Sequence, residues 1–440
     1  MTTKITEQNI SNISNAAVQW QSVVTADGST ATSAVAGYGY FIDTTSAAHT
    51  VNLPNTASVG DTIILKDYAG TWGTNNVTIS STLKISGADA DGTLSTNNTT
   101  VTIVYMDTTK GWTPIQNSTQ SALAIDTTFI SATGGTVTTS GNYTIHTFTG
   151  DGCFVVTTAG TGAAPSVVDY LVVAGGGGGG YAGGGGAGAG GFRMSNSTCM
   201  PAPTTSPLAN PTGVTVSATT YPVTVGAGGA TTGSQGSFGG VGSNSIFSTI
   251  TSAGGGGGAP NNPALNPSSD KNGGSGSGAG EQNTITFGSG NTPPVSPPQG
   301  NPGGGAPINH VGGGGGGAGA AGSATSGPDG PCGVAGPGGI GSYVLSTGFA
   351  GCNGESGPVC GARYFAGGGG GNNNSAGSGG PGGAGGVGGG GDGTQASSGN
   401  VPTKNGVNNT GGGGGAGGPN TPSPSGAGGK GIVIIRYKSS

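Results

Sequence analysis

Two stretches decide the fold of this chain: Tyr170-Leu-Val-Val-Ala-Gly175-Gly-Gly-Gly-Gly-Gly180 and the terminal Gly431-Ile-Val-Ile-Ile-Arg-Tyr437. Each contains a continuously apolar segment with the character of a strand, and the residues between them are rich in glycine. Glycine has no side chain to bury, so a glycine-rich segment is ordered only when its backbone groups bond to neighbouring segments. The apolar strands at both ends favour such an ordered structure.

The composition excludes several classes of protein. Of 440 residues, 104 are Gly and 26 are Pro, 6% are charged and 31% are hydrophobic, which is too little apolar material for a conventional core throughout. The 11 Lys and Arg residues are scattered, which argues against a nucleic-acid groove. The sequence has neither an apolar run of membrane-spanning length nor an N-terminal signal peptide, so we expect synthesis in the cytoplasm.

The cysteines and histidines predict neither a metal site nor a cofactor. No Cys-x-x-Cys pair occurs, and the three histidines fall in unrelated segments. Cys352 and Cys360 are close enough in sequence to clip one loop in an oxidising medium, and the sequence leaves their bonding open. The cysteines are Cys153, Cys199, Cys332, Cys352 and Cys360.

Residues 1–118 predict a small β-domain, the N-terminal module. All three tryptophans lie here, and Val101, Ile103 and Tyr105 alternate with smaller or polar residues as in a half-buried strand. Strands are predicted at 39–43, 50–53, 62–67, 76–79 and 101–106.

A series of motifs within this module points to a family. They are Tyr40-Phe41-Ile42-Asp43-Thr44, Val51-Asn52-Leu53-Pro54, Val59-Gly60-Asp61-Thr62-Ile63, Asp67-Tyr68-Ala69-Gly70-Thr71-Trp72, and Val104-Tyr105-Met106-Asp107 followed by Gly111-Trp112. In order and spacing they resemble a module found near the N-termini of tail-fibre and other appendage proteins of tailed bacteriophages. The resemblance implies attachment to other virion proteins or to copies of the same chain.

After a linker at 119–124, residues 125–440 predict a second domain with a β framework at 125–174 and 431–440. Residues 143–148 and 153–156 are expected to form a hairpin through the Asp151-Gly152 turn. With the segments 170–173 and 432–435 they would form one small sheet, from which residues 175–430 are extruded.

The glycine runs predict a bundle of extended left-handed helices of the polyproline-II type. Such helices have about three residues per turn and no internal hydrogen bonds, so their amide groups are free to bond to neighbouring helices. Collagen is excluded because the run at 312–317 breaks a strict three-residue glycine register. The predicted fold class is all-β plus polyglycine-II helices, with almost no α-helix. The runs lie at 175–180, 183–186, 254–258, 312–317, 367–371, 388–391 and 411–415.

A second set of motifs resembles the glycine-rich domain of phage tail and adhesin proteins. The motifs are Gly134-Gly135-Thr136 through His146-Thr147-Phe148, Val168 to Gly175, Tyr221 to Gly229, Ser243 to Phe247, and Gly431 to Tyr437. The resemblance implies a sandwich of polyglycine helices whose tip loops contact a host receptor. Long inserts near 194–215, 259–302 and 329–365 depart from the pattern, so the receptor does not carry over.

Motifs that would indicate catalysis are weak, and we expect no enzyme activity. Gly175-x-Gly177-x-x-Gly180 matches a dinucleotide fingerprint only because six glycines are consecutive, and no helix-forming sequence follows. Gly429-Lys430 is followed by Gly431 where a phosphate loop needs Ser or Thr.

The candidate receptor-binding residues are aromatic and charged side chains in loops of small residues, because such side chains dominate recognition. For aromatic residues beside a glycine run, which are Phe192, Phe365 and also Tyr181, packing over the helices is the alternative role. The candidates are Phe192, Arg193, His310, Tyr343, Phe349, Arg363, Tyr364 and Phe365.

The sequence therefore predicts a phage tail-fibre or adhesin protein, located in a virion appendage, that binds a host surface glycan or outer-membrane protein. Expected partners are other virion proteins or its own copies through the N-terminal module, with a trimer favoured and neither nucleic acid nor membrane insertion involved. One alternative is a structural virion protein, in a fibre shaft or as capsid decoration, without receptor contact. An extracellular filament subunit is a further alternative.

Overall fold

The chain divides into two compact units. Unit 1 comprises Met1–Phe129 with Ala159–Ser166, and unit 2 comprises Ile130–Thr158 with Val167–Ser440. Of the linker expected at 119–124, only Ala124 is described, and it begins a strand that pairs within unit 1. The computed structural model describes residues 18–115, 124–125, 127–162, 164–197, 206–234, 236–261, 269–281, 287–329, 332–375, 380–395, 404–418 and 424–440.

The expected all-β class is confirmed. The helical elements described are a 3-10 turn at Ser269–Lys271 and a π-helical turn at Ser346–Ala350. No helix in the described part of the chain is both long and apolar enough to cross a bilayer.

The described residues of unit 1 contain eleven short strands, and the five strands predicted from the sequence are present to within one residue. The strands are β1 Gln19–Trp20, β2 Val24–Thr25, β3 Thr32–Ser33, β4 Tyr38–Asp43, β5 His49–Asn52, β6 Thr62–Asp67, β7 Val77–Ser80, β8 Gly92–Leu94, β9 Thr100–Tyr105, β10 Trp112–Pro114 and β11 Ala124–Ile125.

The first strands of unit 1 alternate between two sheets. Strands β1, β2, β4 and β6 lie in one sheet and β3, β5 and β7 in the other, and the neighbours within each are parallel. The core between the sheets contains the fully buried Trp72 and Trp112 together with Val101, Ile103 and Tyr105, so the alternation expected in β9 is confirmed.

Unit 2 contains the remaining strands. They are β12 Ser131–Thr133, β13 Thr136–Ser140, β14 Tyr143–Phe148, β15 Gly152–Thr158, β16 Val167–Val173, β17 Phe192–Ser195, β18 Ala209–Asn210, β19 Val214–Thr215, β20 Thr220–Thr224, β21 Ser245–Phe247, β22 Ile250–Ser252, β23 Ser342–Leu345, β24 Glu355–Ser356, β25 Ala362–Phe365 and β26 Ile432–Lys438.

A central sheet in unit 2, in the order β13-β14-β26-β16-β17-β18, is covered on both faces. Leu171, Val173, Ile432 and Ile434 point to a core shared with the small sheet β23-β25-β24. Residues of opposite parity, such as Val172 and Ile435, pack against the outer sheet β12-β15-β20-β21-β22. Burial on both faces explains why β16 and β26 are continuously apolar.

The expected joining of 170–173 and 432–435 with the strand at 143–148 is confirmed, because β26 lies between β14 and β16. The expected hairpin between β14 and β15 is wrong. Strand β14 pairs with β13 and β26, whereas β15 pairs with β12 and β20 in the outer sheet. The segment between β14 and β15 therefore passes from the central sheet to the outer sheet. There the Asp151 carboxylate accepts the N–H of Val225, which follows β20, at 2.8 Å.

The glycine runs form rods that bond to one another through their backbones. The N–H groups of the rod at 175–180 donate to three neighbouring segments in turn, so that residues three apart donate to the same segment. The acceptors, from Gly175 to Gly180 in order, are the carbonyls of Ser243, Gly429, Gly188, Gly240, Gly426 and Gly185. A three-residue repeat without internal bonds is the geometry of the polyproline-II helix.

The carbonyls of the same rod accept N–H groups from three further segments, so the rod has six neighbours in all. The donors are Gly255 and Gly258 in one segment, Gly229 in another, and Gly414 and Gly417 in the third. The rod at 312–317 is surrounded in the same way. Hydrogen bonds between backbones thus satisfy the buried N–H and C=O groups of the rods and hold the interior together. In an ordinary core, packed apolar side chains do this.

Only glycine fits at most positions of these rods. A Cβ added at Gly178 would overlap the carbonyl oxygen of Ala230, and one added at Gly315 would overlap that of Ala187. The sequence therefore uses glycine for close approach of backbones rather than for flexibility.

Candidate functional site

Several loops of unit 2 lie together at the end of the rod at 175–180 that is farther from strand β16. The rod at 175–180 leaves strand β16 and extends for roughly 19 Å at the polyproline-II rise before Tyr181. Tyr181 bridges to Gly417, and Asn373 bridges to both Val311 and Gln395. We call the loops at 181–184, 305–311, 324–329, 372–375, 394–395 and 417–418, with Glu281, the far-end surface.

Two buried asparagines hold these loops together. Asn372 Oδ1 accepts the N–H of Gly183 at 2.8 Å, and Asn372 Nδ2 donates to the carbonyl and hydroxyl oxygens of Thr394 at 2.9 and 2.8 Å. Asn373 Nδ2 donates to the carbonyl of Gly333 at 2.9 Å. The asparagine amides thus form hydrogen bonds with backbone N–H and C=O groups that have no neighbouring rod to bond to at the rod ends.

A carboxylate and an imidazole meet at the far-end surface. Glu281 Oε2 lies 3.6 Å from Nδ1 of His310, and the exposed fractions of the two side chains are 15% and 54%. Burial raises the pKa of Glu281, and the nearby His310 opposes that effect. His310 is exposed and has a positive φ of 72°, and its carbonyl accepts the N–H of Asn374 at 2.6 Å.

The rest of the far-end surface is small and polar. Pro307, Ser326, Pro328 and Asp329 are exposed, while Tyr181 is half-buried beside them. Such a surface offers hydrogen bonds and one aromatic ring, with little net charge. It is suited to recognition by many short-range contacts rather than by long-range charge.

The structure does not bring the eight predicted binding residues together. His310 lies on the far-end surface. Arg193, on β17, donates to the carbonyl of Thr251 at 3.3 Å. Arg363, on β25, donates to the Ser356 hydroxyl at 3.0 Å, and Tyr343 packs against Tyr364 with ring centroids 5.4 Å apart.

Four of the predicted residues are buried. Phe192, Phe349 and Phe365 belong to the core between the central and small sheets, and Tyr364 is buried close by. Their packing corresponds to the alternative role considered for aromatic residues beside glycine runs. Their rings are buried, and the binding role of all eight residues stays a prediction.

The sequence analysis did not identify Asn372 and Asn373, and it gave Tyr181 only the role of packing over the helices. A signal was present, because Tyr181 directly follows the run at 175–180 and Asn372-Asn-Asn374 directly follows the run at 367–371. The residue after a glycine run marks a rod end, which is where leftover backbone groups need partners.

Cysteines and potential metal ligands are dispersed in the structure. Cys153, Cys332, Cys352 and Cys360 are exposed free thiols, so Cys352 and Cys360 are not bonded to each other, and Cys199 lies outside the described residues. Among the residues that the structure describes, no three His, Cys, Asp or Glu side chains are grouped to hold a metal ion.

Most of unit 2 matches a known protein family. A family model described as a glycine-rich domain matches residues 149–438. A search of curated proteins finds no match.

Proposed function

The chain belongs to the glycine-rich domain family over residues 149–438, and from this premise we propose that it is a receptor-binding appendage protein of a tailed-bacteriophage virion. Unit 2 displays the far-end surface toward the host cell, and unit 1 anchors the protein to other virion proteins or to its own copies. The action is binding without chemistry.

The observation that carries this proposal is the contrast between the rods and their end loops. Rod glycines cannot accept a side chain without overlap, as Gly178 and Gly315 illustrate. The loops at the far-end surface carry exposed side chains such as His310 and Asp329. A rigid scaffold with replaceable loops suits recognition of variable host surfaces. The phage context itself comes from the resemblance of residues 40–112 and 125–440.

Exposed apolar side chains support an anchoring role for unit 1. Val59 and Tyr68 are 77% and 58% exposed, and Trp20, stacked on Phe41 at 4.5 Å, is also exposed. In the proposed anchoring role these side chains would pack against another protein. The same residues suit the alternative, a structural virion subunit, so the test has to address the far-end surface.

The test uses the full-length protein and the phage that carries its gene. Purified protein should bind host cells and block phage adsorption. The double variant His310→Ala/Asp329→Ala should lose most of the blocking while its melting temperature stays unchanged. A matched control, Thr220→Ala at an exposed position at the start of β20, should block like the wild type. Absence of cell binding, with the protein still found on purified virions, would favour the structural alternative.

A further inference from the structure

A second concave site lies in unit 2 among its sheets, separate from the far-end surface. It is a groove of about 520 Å³ between the β13–β14 strand pair and the segment 348–353. This volume falls within the range of roughly 300–1,000 Å³ that is usual for small-molecule sites. The lining includes Thr136, Thr138, Ser140, Ile145, Thr147 and Ala350.

The lining of this groove is uncharged and rich in hydroxyl groups. Five threonines and one serine contribute to it, and none of their hydroxyls has a hydrogen-bond partner among the described residues. Thr136, Thr138 and Thr149 are exposed, while Ser140 and Thr147 are half-buried. Each free hydroxyl can both donate and accept a hydrogen bond.

The wall opposite the strands is held in place before any ligand binds. The guanidinium of Arg436 lies between the rings of Tyr143 and Phe349, 4.7 and 4.8 Å from their centroids. Arg436 Nη1 donates to the carbonyl of Gly348 at 3.2 Å, and Asn353 donates twice to the carbonyl of Ala350. A pre-formed groove loses little conformational entropy on binding.

The groove does not favour a charged ligand. The cation beside it, Arg436, is 3% exposed and forms an ion pair with Asp169 at 3.1 Å, so it presents no charge to the groove. Strand β13 is at the edge of the central sheet, so the groove is open along one side and can hold part of a longer chain.

We propose that this groove binds a short segment of a neutral oligosaccharide. Its free hydroxyls match sugar hydroxyls, which likewise donate and accept, and the threonine methyl groups with Ile145 and Ala350 supply apolar contact for sugar C–H groups. As a saccharide site the groove stands on its own geometry. As a contact with a host surface glycan it rests on the proposed function.

The test is calorimetric titration of the full-length protein with two neutral probes, maltohexaose and chitohexaose, and with polygalacturonate as an anionic comparison. At least one neutral probe should bind, with little dependence on salt. The variant Thr138→Val/Thr147→Val removes two hydroxyls and keeps the side-chain shape, so affinity should fall roughly tenfold or more. Thr224→Val, which removes an exposed strand hydroxyl outside the groove, should leave the affinity unchanged.

Equal melting temperatures of the variants and the wild type would confirm that the groove variant is folded. If it is destabilised, Thr138→Phe at an exposed position tests the same site by filling it. Absence of binding to both neutral probes, or binding that neither groove variant weakens, would overturn the proposal. Saccharide binding without host-cell binding would leave the groove assigned and count against the proposed function.

Discussion

Arg436 on β26 and Asp169 on β16 form a buried ion pair, with Nη2 and Oδ2 3.1 Å apart and side chains 3% and 0% exposed. The two residues are direct neighbours in the register of the central sheet. Asp169 also accepts the Ser195 hydroxyl at 2.9 Å and the N–H of Ser197 at 2.7 Å. The pair therefore joins the C-terminal strand to the strand that precedes the first rod.

Breaking this ion pair should strongly destabilise unit 2. Arg436→Met leaves the Asp169 carboxylate buried without its cation, and such a loss costs about 3–5 kcal/mol. Urea unfolding followed by circular dichroism measures the change. The control is Lys404→Met, which removes the solvent-exposed pair of Lys404 with Asp392 and should leave stability near that of the wild type. Equal effects of the two variants would contradict this account.

Adding one methyl group inside a rod should cost more than adding one outside. Gly178→Ala places a Cβ against the carbonyl oxygen of Ala230, and overpacking of this kind costs roughly 1–3 kcal/mol or more. Gly233→Ala is the matched control, because the nearest atom to its new Cβ is Cβ of Pro424 at 3.8 Å. We expect the control to be neutral or slightly stabilising.

The melting temperatures of these two variants decide the point. If Gly178→Ala melts with the wild type, then the rods adapt by sliding, and close backbone packing does not hold unit 2 together.

The sequence predicted those features that depend on local pattern. Strand β6 was placed to the residue, and the glycine runs indicated backbone-bonded rods because no other arrangement satisfies their amides. The β14–β15 hairpin was wrong because Asp151-Gly152 is a local turn signal, whereas the partner of β14 is β26 near the other end of the chain. Local sequence propensity does not predict which distant strand a given strand pairs with.

The burial of four candidate site residues was missed for a related reason. Composition ranks Phe192, Phe349 and Phe365 as binding residues, since aromatic side chains are rare in this chain. Their burial depends on the small sheet β23-β25-β24, whose strands lie within a region that composition describes only as loops between glycine runs. His310, by contrast, lies just before the rod at 312–317 and is exposed.

The buried imidazole of His146 should make stability depend on pH. His146 is fully buried, its Nδ1 lies 2.7 Å from the Gly134 carbonyl oxygen, and its Nε2 lies 3.1 Å from the Tyr437 hydroxyl. Burial lowers its pKa below the ordinary value of 6.5. Below pH 6.5 the unfolded chain therefore binds a proton that the folded chain resists, and the free energy of unfolding falls as the pH falls.

Urea unfolding of the wild type and His146→Gln at pH 7.5 and 5.5 checks this expectation. The variant should be less stable at pH 7.5 but should lose less stability between the two pH values. His49, whose pKa burial also lowers, and Glu281, whose raised pKa acts in the opposite direction, are common to both proteins and cancel in the comparison. An unchanged pH dependence in the variant would show that His146 does not contribute.

Asn372 should couple the stability of the rods to the shape of the far-end surface. Asn372→Leu keeps a similar volume but leaves the buried Gly183 N–H without its acceptor, at a cost of about 1–3 kcal/mol. It also removes both bonds from Asn372 to Thr394, whose carbonyl still accepts the N–H of Asn373. The control is Asn374→Ala, because Asn374 contributes its backbone N–H to His310 and keeps it. Hydrogen exchange at Gly183 should accelerate in the first variant and not in the second. Protection of the Gly183 amide in Asn372→Leu would mean that backbone bonds, such as those to Gly417 and Glu281, hold the loop at 181–184 without the Asn372 side chain.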